Sequence, residues 1–251
     1  MQGSEQATEL YFLAPDSRVM PVKESPRRDR RVICSLGRGM HSQLMAVSSP
    51  TLASYARRWK WDLFLSSENL APERPIPWSK VRLMQELLDR YDTIWWIDAD
   101  ALIVDTTRHI LDELPATRDL YLVEHPQASE GAPVVPNFGV VLLRSTEYTR
   151  DFLQRLWDME EFIDHNWWEN AAVVTMLGHS IEPPYELVEK TPDREHVGFL
   201  DVAWNSVPDQ AESPAPVIRH HARGADVPFD TRLAGMVADL SASRLRDPRW
   251  S

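Results

Sequence analysis

Five short apolar runs, at residues 31–36, 61–66, 93–98, 120–125 and 138–144, alternate with stretches of helical periodicity. Runs of this length that are apolar on both faces suit strands of a sheet covered on two sides. Residues 50–59 and 78–91 read as helices. In the second, Met84, Leu87, Leu88 and Tyr91 fall at i, i+3, i+4 and i+7, one face of a helix. Phe152, Leu153, Leu156 and Trp157 repeat the stripe, as do Leu233, Met236, Val237 and Leu240. The alternation predicts an α/β fold: a mostly parallel central sheet flanked by helices, an α/β/α sandwich. No internal repeat or low-complexity linker divides the 251 residues. One domain over 31–251 is therefore expected, after a leader at 1–30 that is partly flexible or extended. Residues 181–216 are rich in proline and predict loops and short edge strands.

Composition removes whole classes of function. Lys and Arg total 27 against 38 Asp and Glu, a net charge of 27 − 38 = −11. That balance disfavours a nucleic-acid partner, which needs a basic face. The basic run Arg27-Arg28-Asp29-Arg30-Arg31 reads as a solvated leader before the first strand. A single cysteine, Cys34, permits no internal disulfide and no cysteine-rich zinc site. No apolar stretch has the length of a signal peptide or a membrane span, so a cytoplasmic protein without a membrane anchor is expected. Only 4 of the 27 basic residues are Lys, a bias that points to a bacterial source of high GC content. With 9 glycines in all, Gly-rich phosphate cradles are scarce. Gly37-Arg38-Gly39 has Ser42 where a dinucleotide fingerprint needs its third glycine. No P-loop, G-x-S-x-G or H-E-x-x-H pattern occurs.

The informative segment is Thr93-Ile94-Trp95-Trp96-Ile97-Asp98-Ala99-Asp100-Ala101-Leu102. Asp98 and Asp100 interrupt an apolar run. On extended backbone, residues two apart point to the same side, so the two charges face one another. An unpaired buried carboxylate costs at least several kcal/mol. The run itself offers no Lys or Arg, which points to a divalent cation. All-oxygen ligation suits Mg²⁺ or Mn²⁺, ions that also take phosphate oxygens. The bland alternative is a strand end with two solvated aspartates.

Beyond this segment, four stretches in order resemble the GT-A glycosyltransferases, most of all the galactosyl, xylosyl and mannosyl transferases of the Gma12/Mnn10 group. They are Trp78-Ser79-Lys80 with the following D-x-D; Asn137-Phe138-Gly139 running to Arg144; Trp168-Glu169-Asn170-Ala171-Ala172; and His221-Ala222-Arg223-Gly224. The resemblance implies a retaining transferase that uses a nucleotide-diphosphate sugar, UDP- or GDP-linked, and Mn²⁺ or Mg²⁺. Asp100 would contact the metal, and Asp98 the metal or the donor ribose. His221 would be the third ligand, with its neighbour His220 open as the alternative. Gly37 and Arg38 would lie under the nucleotide, Lys80 would touch the diphosphate or the donor sugar unless it is an ordinary solvated helix lysine, and Asn137 is a candidate for the sugar side.

A retaining reaction needs a carboxylate or an amide on the face opposite the leaving group. Glu169 and Asn170 are the candidates, although Asn170 stands where the group usually carries Gln. Glu169 also opens a plausible helix at 169–177, where an acid suits the dipole. Trp95, Trp96 and Trp157 read as core. Trp167, Trp168 and Trp204 adjoin polar candidates, so one of them could stack on the acceptor, a small molecule or a glycan. Two other readings stay open: a haloacid-dehalogenase-type phosphotransferase, and a sugar-nucleotide-binding protein without turnover. The phosphotransferase also places D-x-D after an apolar strand. It would want Thr or Val where Leu102 stands, and a late Gly-Asp motif that is absent.

Overall fold

A computed structural model describes residues 10–12, 29–126, 134–222 and 227–246. The strands are β1 (Leu10–Phe12), β2 (Arg31–Leu36), β3 (Asp62–Ser66), β4 (Thr93–Ile97), β5 (Ala101–Ile103), β6 (Leu120–Pro126), β7 (Val134–Arg144), β8 (Val197–Phe199) and β9 (Ile218–His220). The helices are α1 (His41–Trp59), α2 (Ser79–Leu88), α3 (Glu147–Asp158), α4 (Glu169–Met176) and α5 (Phe229–Arg246). Seven strands form the main sheet in the order β1-β3-β2-β4-β7-β6-β8; β5 and β9 form a second ribbon. The sheet is mixed and mostly parallel: among the described strands only β7 runs against its neighbours, β4 and β6. Within the expected leader, Leu10–Phe12 is an edge strand parallel to β3. The rest of the leader, apart from Asp29 and Arg30, lies outside the described residues.

The central strand β4 is buried at every position, because both of its faces are covered. Ile94 and Trp96 enter the core beneath α2, α3 and α4. Trp95 and Ile97 enter the opposite core, where the Trp95 ring meets Tyr55, Trp61 and Trp204 at centroid distances of 5.0, 5.9 and 5.8 Å. Edge-to-face rings at such distances add to what area burial supplies.

Two helix expectations change. α1 begins at His41 rather than at Pro50, which sits mid-helix on the exposed side. There its missing N–H falls on the solvent face of an otherwise packed helix. In α5, Leu233, Met236 and Leu240 pack against Leu44 and Leu102, but Val237 is left exposed. Among the described residues no helix is long and apolar enough to cross a membrane.

Candidate active site

β4 ends at Ile97, and Asp98–Ala101 form a tight turn closed by the Ala101 N–H donating to the Asp98 carbonyl (3.0 Å). The two carboxylates therefore converge through a turn into β5, not through alternation along a strand. The cations that meet them come from elsewhere in the chain.

On the α2–α4 side, Lys80 is buried in the first turn of α2. Its Nζ lies 2.6 Å from Glu169 Oε1 and 3.3 Å from Asp98 Oδ1. The Trp96 indole N–H also donates to Asp98 Oδ1, at 2.6 Å. Burial opposes the Lys80 ammonium, but Asp98 and Glu169 outweigh it and hold the pKa above its ordinary value. Burial pushes the Glu169 carboxyl up, with Lys80 working against the shift. Glu169 Oε2 is buried and has no hydrogen-bond partner among the described residues. Lys80 is thus clasped between two carboxylates.

On the β9–α5 side, Asp100 is buried. Its Oδ1 lies 3.3 Å from His220 Nε2, and its Oδ2 accepts from Arg232 Nη2. Burial would raise the Asp100 pKa, but His220 and Arg232 overcome this and hold it below the usual carboxylate range. Arg232 also donates through Nε to the His221 carbonyl, at 2.8 Å.

Of the two adjacent histidines the fold brings His220, not His221, to the aspartates. Antiparallel pairing of β5 with β9 sets Ala101 opposite His220. His221 instead bonds Asp239 on α5 (Nε2 to Oδ2, 2.8 Å), because neighbouring side chains leave a strand on opposite sides. Asp98, Asp100 and His220 each present one ligand atom, all within 4.8 Å of one another.

β7 supplies the floor beneath them. Opposite the Leu122/Val123 step of β6 its register shifts, and side-chain amides take up two β7 N–H groups there. Asn170 Oδ1 accepts from Phe138 N at 2.7 Å, and Asn137 Oδ1 accepts from Gly139 N at 2.9 Å. Those backbone donors identify both atoms as amide oxygens. Asn205 Nδ2 then donates to Asn137 Oδ1 (3.0 Å), so Asn205 Oδ1 must accept from His220 Nδ1 (2.8 Å). With its hydrogen on Nδ1, a neutral His220 aims the Nε2 lone pair at the Asp100 carboxylate. Two acceptors cannot face each other at 3.3 Å unless a proton or a metal ion lies between them. One imidazole with two carboxylates suits Mn²⁺ or Mg²⁺, and in this respect the residues fit a divalent cation. Gly139 leaves room for the group: a Cβ there would stand 2.4 Å from His220 Cε1 and 2.8 Å from Asp98 Oδ2.

The remaining sequence candidates fall as follows. Gly37 and Arg38 form the loop between β2 and α1, where Gly37 N donates to the Ser66 carbonyl (2.9 Å) and Arg38 Nη1 to the Ser67 carbonyl (3.4 Å). Trp167 and Trp168 are half-buried beside Glu169. Trp204 is fully buried and donates to Glu113 Oε2 (3.0 Å), so it packs the core and offers no face to an acceptor. Arg223 and Gly224 lie outside the described residues. Arg232, Asn205 and the role of Gly139 escape sequence reasoning. The one available signal was Gly139 itself, a glycine inside an apolar strand, which marks close backbone approach.

The fold is that of the GT-A glycosyltransferases. A glycosyltransferase involved in glycosylation of the major capsid of PBCV-1 superposes with a TM-score of 0.58 at 12% identity, covering 82% of this chain and 98% of that one. GlyE of Streptococcus pneumoniae gives 0.54 at 13% identity over 86% of this chain and 62% of its own. The galactosyltransferase LgtC, solved with donor and acceptor sugar analogues, gives 0.52 at 9% identity over 87% and 98%. In sequence, residues 40–124 match the galactosyl transferase GMA12/MNN10 family. An uncharacterised α-1,2-galactosyltransferase of Schizosaccharomyces pombe is 30% identical over 95 residues, 36% of this chain and 20% of that protein. The chain thus spans about a fifth of the length of that relative. Neither kind of match favours the phosphotransferase alternative.

Proposed function

We propose that the chain is a metal-dependent glycosyltransferase that moves a sugar from a nucleotide-diphosphate donor, UDP- or GDP-linked, to an acceptor hydroxyl with retention of configuration. The observation that carries this reading is His220, turned by Asn205 so that Nε2 meets Asp98 and Asp100 over the bare Gly139. Those three residues would hold Mn²⁺ or Mg²⁺. When bound, the cation would offset the negative charge that grows on the departing diphosphate. Trp96 and Lys80 hold Asp98 by Oδ1, which leaves Oδ2 toward the cluster. Gly37 and Arg38, at the carboxyl end of β2, line the nucleotide side, where open α/β sheets take ligands.

Glu169 is the carboxylate for the donor sugar: Lys80 holds its Oε1, while Oε2 is buried and has to be uncovered for a sugar to reach it. Asn170, the other candidate on the sugar side, also braces β7 by accepting from the Phe138 N–H through Oδ1. The acceptor is a small molecule or a glycan in the cytoplasm, and Trp167 or Trp168 beside Glu169 provides a face for a sugar ring.

Incubation with Mn²⁺ and a panel of UDP- and GDP-sugars tests the reading. The expected result is donor hydrolysis or transfer that EDTA abolishes and that Asp100→Asn lowers by at least about a hundredfold. Donor binding with no turnover for any sugar would instead identify a nucleotide-sugar-binding protein.

A further inference from the structure

Arg232 is a cation that the metal reading does not require, yet it is buried and reaches across 132 residues of sequence to one of the proposed ligands. Its guanidinium is tied through Nε to the His221 carbonyl and through Nη2 to Asp100 Oδ2. The other Asp100 oxygen faces His220. A divalent cation held by Asp98, Asp100 and His220 would sit beside a fixed positive charge that already claims the same carboxylate. Among the described residues, the charged side chains around the cluster are three carboxylates, Asp98, Asp100 and Glu169, against Lys80 and Arg232. Without ligand these side chains sum to −3 + 2 = −1, and a bare divalent ion would turn the site to +1 beside the fixed Arg232 charge. A diphosphate removes that excess, since its oxygens can take both the metal and the remaining guanidinium donors.

We propose that Arg232 competes with the divalent cation for Asp100 in the free protein and turns its spare N–H donors to the diphosphate when a nucleotide binds. Metal and nucleotide then enter as a unit, and metal alone binds weakly. This inference rests on the glycosyltransferase reading and assigns Arg232 two tasks: restraining the metal socket and holding the leaving group. A purely structural clasp between α5 and β9 would act otherwise, because its loss would loosen Asp100 and weaken metal binding.

The test is Mn²⁺ titration followed by electron paramagnetic resonance, with and without UDP or GDP, on the full chain, R232Q and R232K. Gln at 232 keeps a neutral donor for the His221 carbonyl, and Lys keeps the charge. R232Q should bind Mn²⁺ alone about tenfold tighter than the wild type, as expected on losing a like charge nearby. With Mn²⁺ saturating, it should bind the nucleotide about tenfold more weakly. R232K should stay within about threefold of the wild type for Mn²⁺ alone. Unchanged or weaker Mn²⁺ binding by folded R232Q overturns the competition while leaving the glycosyltransferase reading intact. Equal tightening in R232K overturns it as well, because charge would not be the cause. Absence of Mn²⁺ binding by the wild type even with nucleotide overturns both.

Discussion

Asp98 and Asp100 are one residue type two positions apart, yet the two sides of the site treat them oppositely. On the α2–α4 side one ammonium, Lys80, is shared by two carboxylates, so negative charge is in excess. On the β9–α5 side the partners outnumber the carboxylate, since Asp100 alone meets both Arg232 and His220. The side chain of Asp98 is 27% exposed and that of Asp100 only 10%. The difference teaches that a D-x-D is not a symmetric pair. Asp100 is locked by partners distant in sequence, whereas Asp98 keeps one oxygen toward the solvent-accessible side of the cluster.

The sharpest way to break the comparison is to remove the shared cation. Lys80→Met leaves Glu169 buried with no counter-charge, and breaking a buried pair in this way costs about 3–5 kcal/mol. Adding Glu169→Gln should recover more than half of that loss in urea unfolding, because the orphaned charge is then gone. If Lys80→Met costs under about 1 kcal/mol, or the double variant recovers nothing, the clasp does not hold the α2–α4 side together.

This contrast also explains what could be read from the chain. The apolar runs that became β2, β3, β4, β6 and β7 are legible because burial on both faces forces continuous hydrophobicity. Direction leaves no such trace, so the reversal of β7 is invisible in a pattern that merely predicts parallel strands. β5 and β9 are three residues each, too short for any period, and their pairing is what selects His220 over His221. Lys80, Asp98, Asp100 and Glu169 stand out as polar residues in or beside buried elements. Arg232 and Asn205 do not, since a helix arginine and a loop asparagine are ordinary until tertiary contacts give them partners. Trp204 misleads for the converse reason: its polar neighbours in sequence are not its neighbours in space.

β6 carries a pH signature of its own beside Asn205. His125 is buried and donates through Nε2 to the Asn205 carbonyl at 2.6 Å. Burial, with a smaller contribution from His220 and against the Asn205 carbonyl, lowers its pKa to about 4. The unfolded chain, with an ordinary histidine near 6.5, therefore binds the proton first as pH falls. Stability contributed by keeping His125 neutral is complete above about pH 6.5 and is lost as pH drops toward 4, by about 3 kcal/mol. Asp100, whose pKa is lowered, loses its contribution only below the ordinary carboxylate range, so the two windows separate. Urea midpoints from pH 7.5 to 4 should fall in the wild type and flatten in His125→Gln. A wild-type curve that is flat over that range would remove His125 as a titrating core group.

Gly139 is where the two sides touch. A Cβ there would meet His220 Cε1 at 2.4 Å, Asp98 Oδ2 at 2.8 Å and Asn137 Oδ1 at 3.0 Å. None of the three can yield freely. His220 is pinned by Asn205, Asp98 by Trp96 and Lys80, and Asn137 by the Gly139 N–H. Gly139→Ala should therefore cost about 1–3 kcal/mol through overpacking. It should also push His220 and Asp98 apart, so the expected loss of Mn²⁺ affinity exceeds what the drop in stability alone would suggest. Pairing this variant with Arg232→Gln sharpens the comparison. If the two sides act separately, the looser socket of Gly139→Ala and the relieved competition of Arg232→Gln combine additively in Mn²⁺ affinity. If the loop from Asp98 to Asp100 moves as one piece, the double variant departs from additivity by more than about 0.5 kcal/mol.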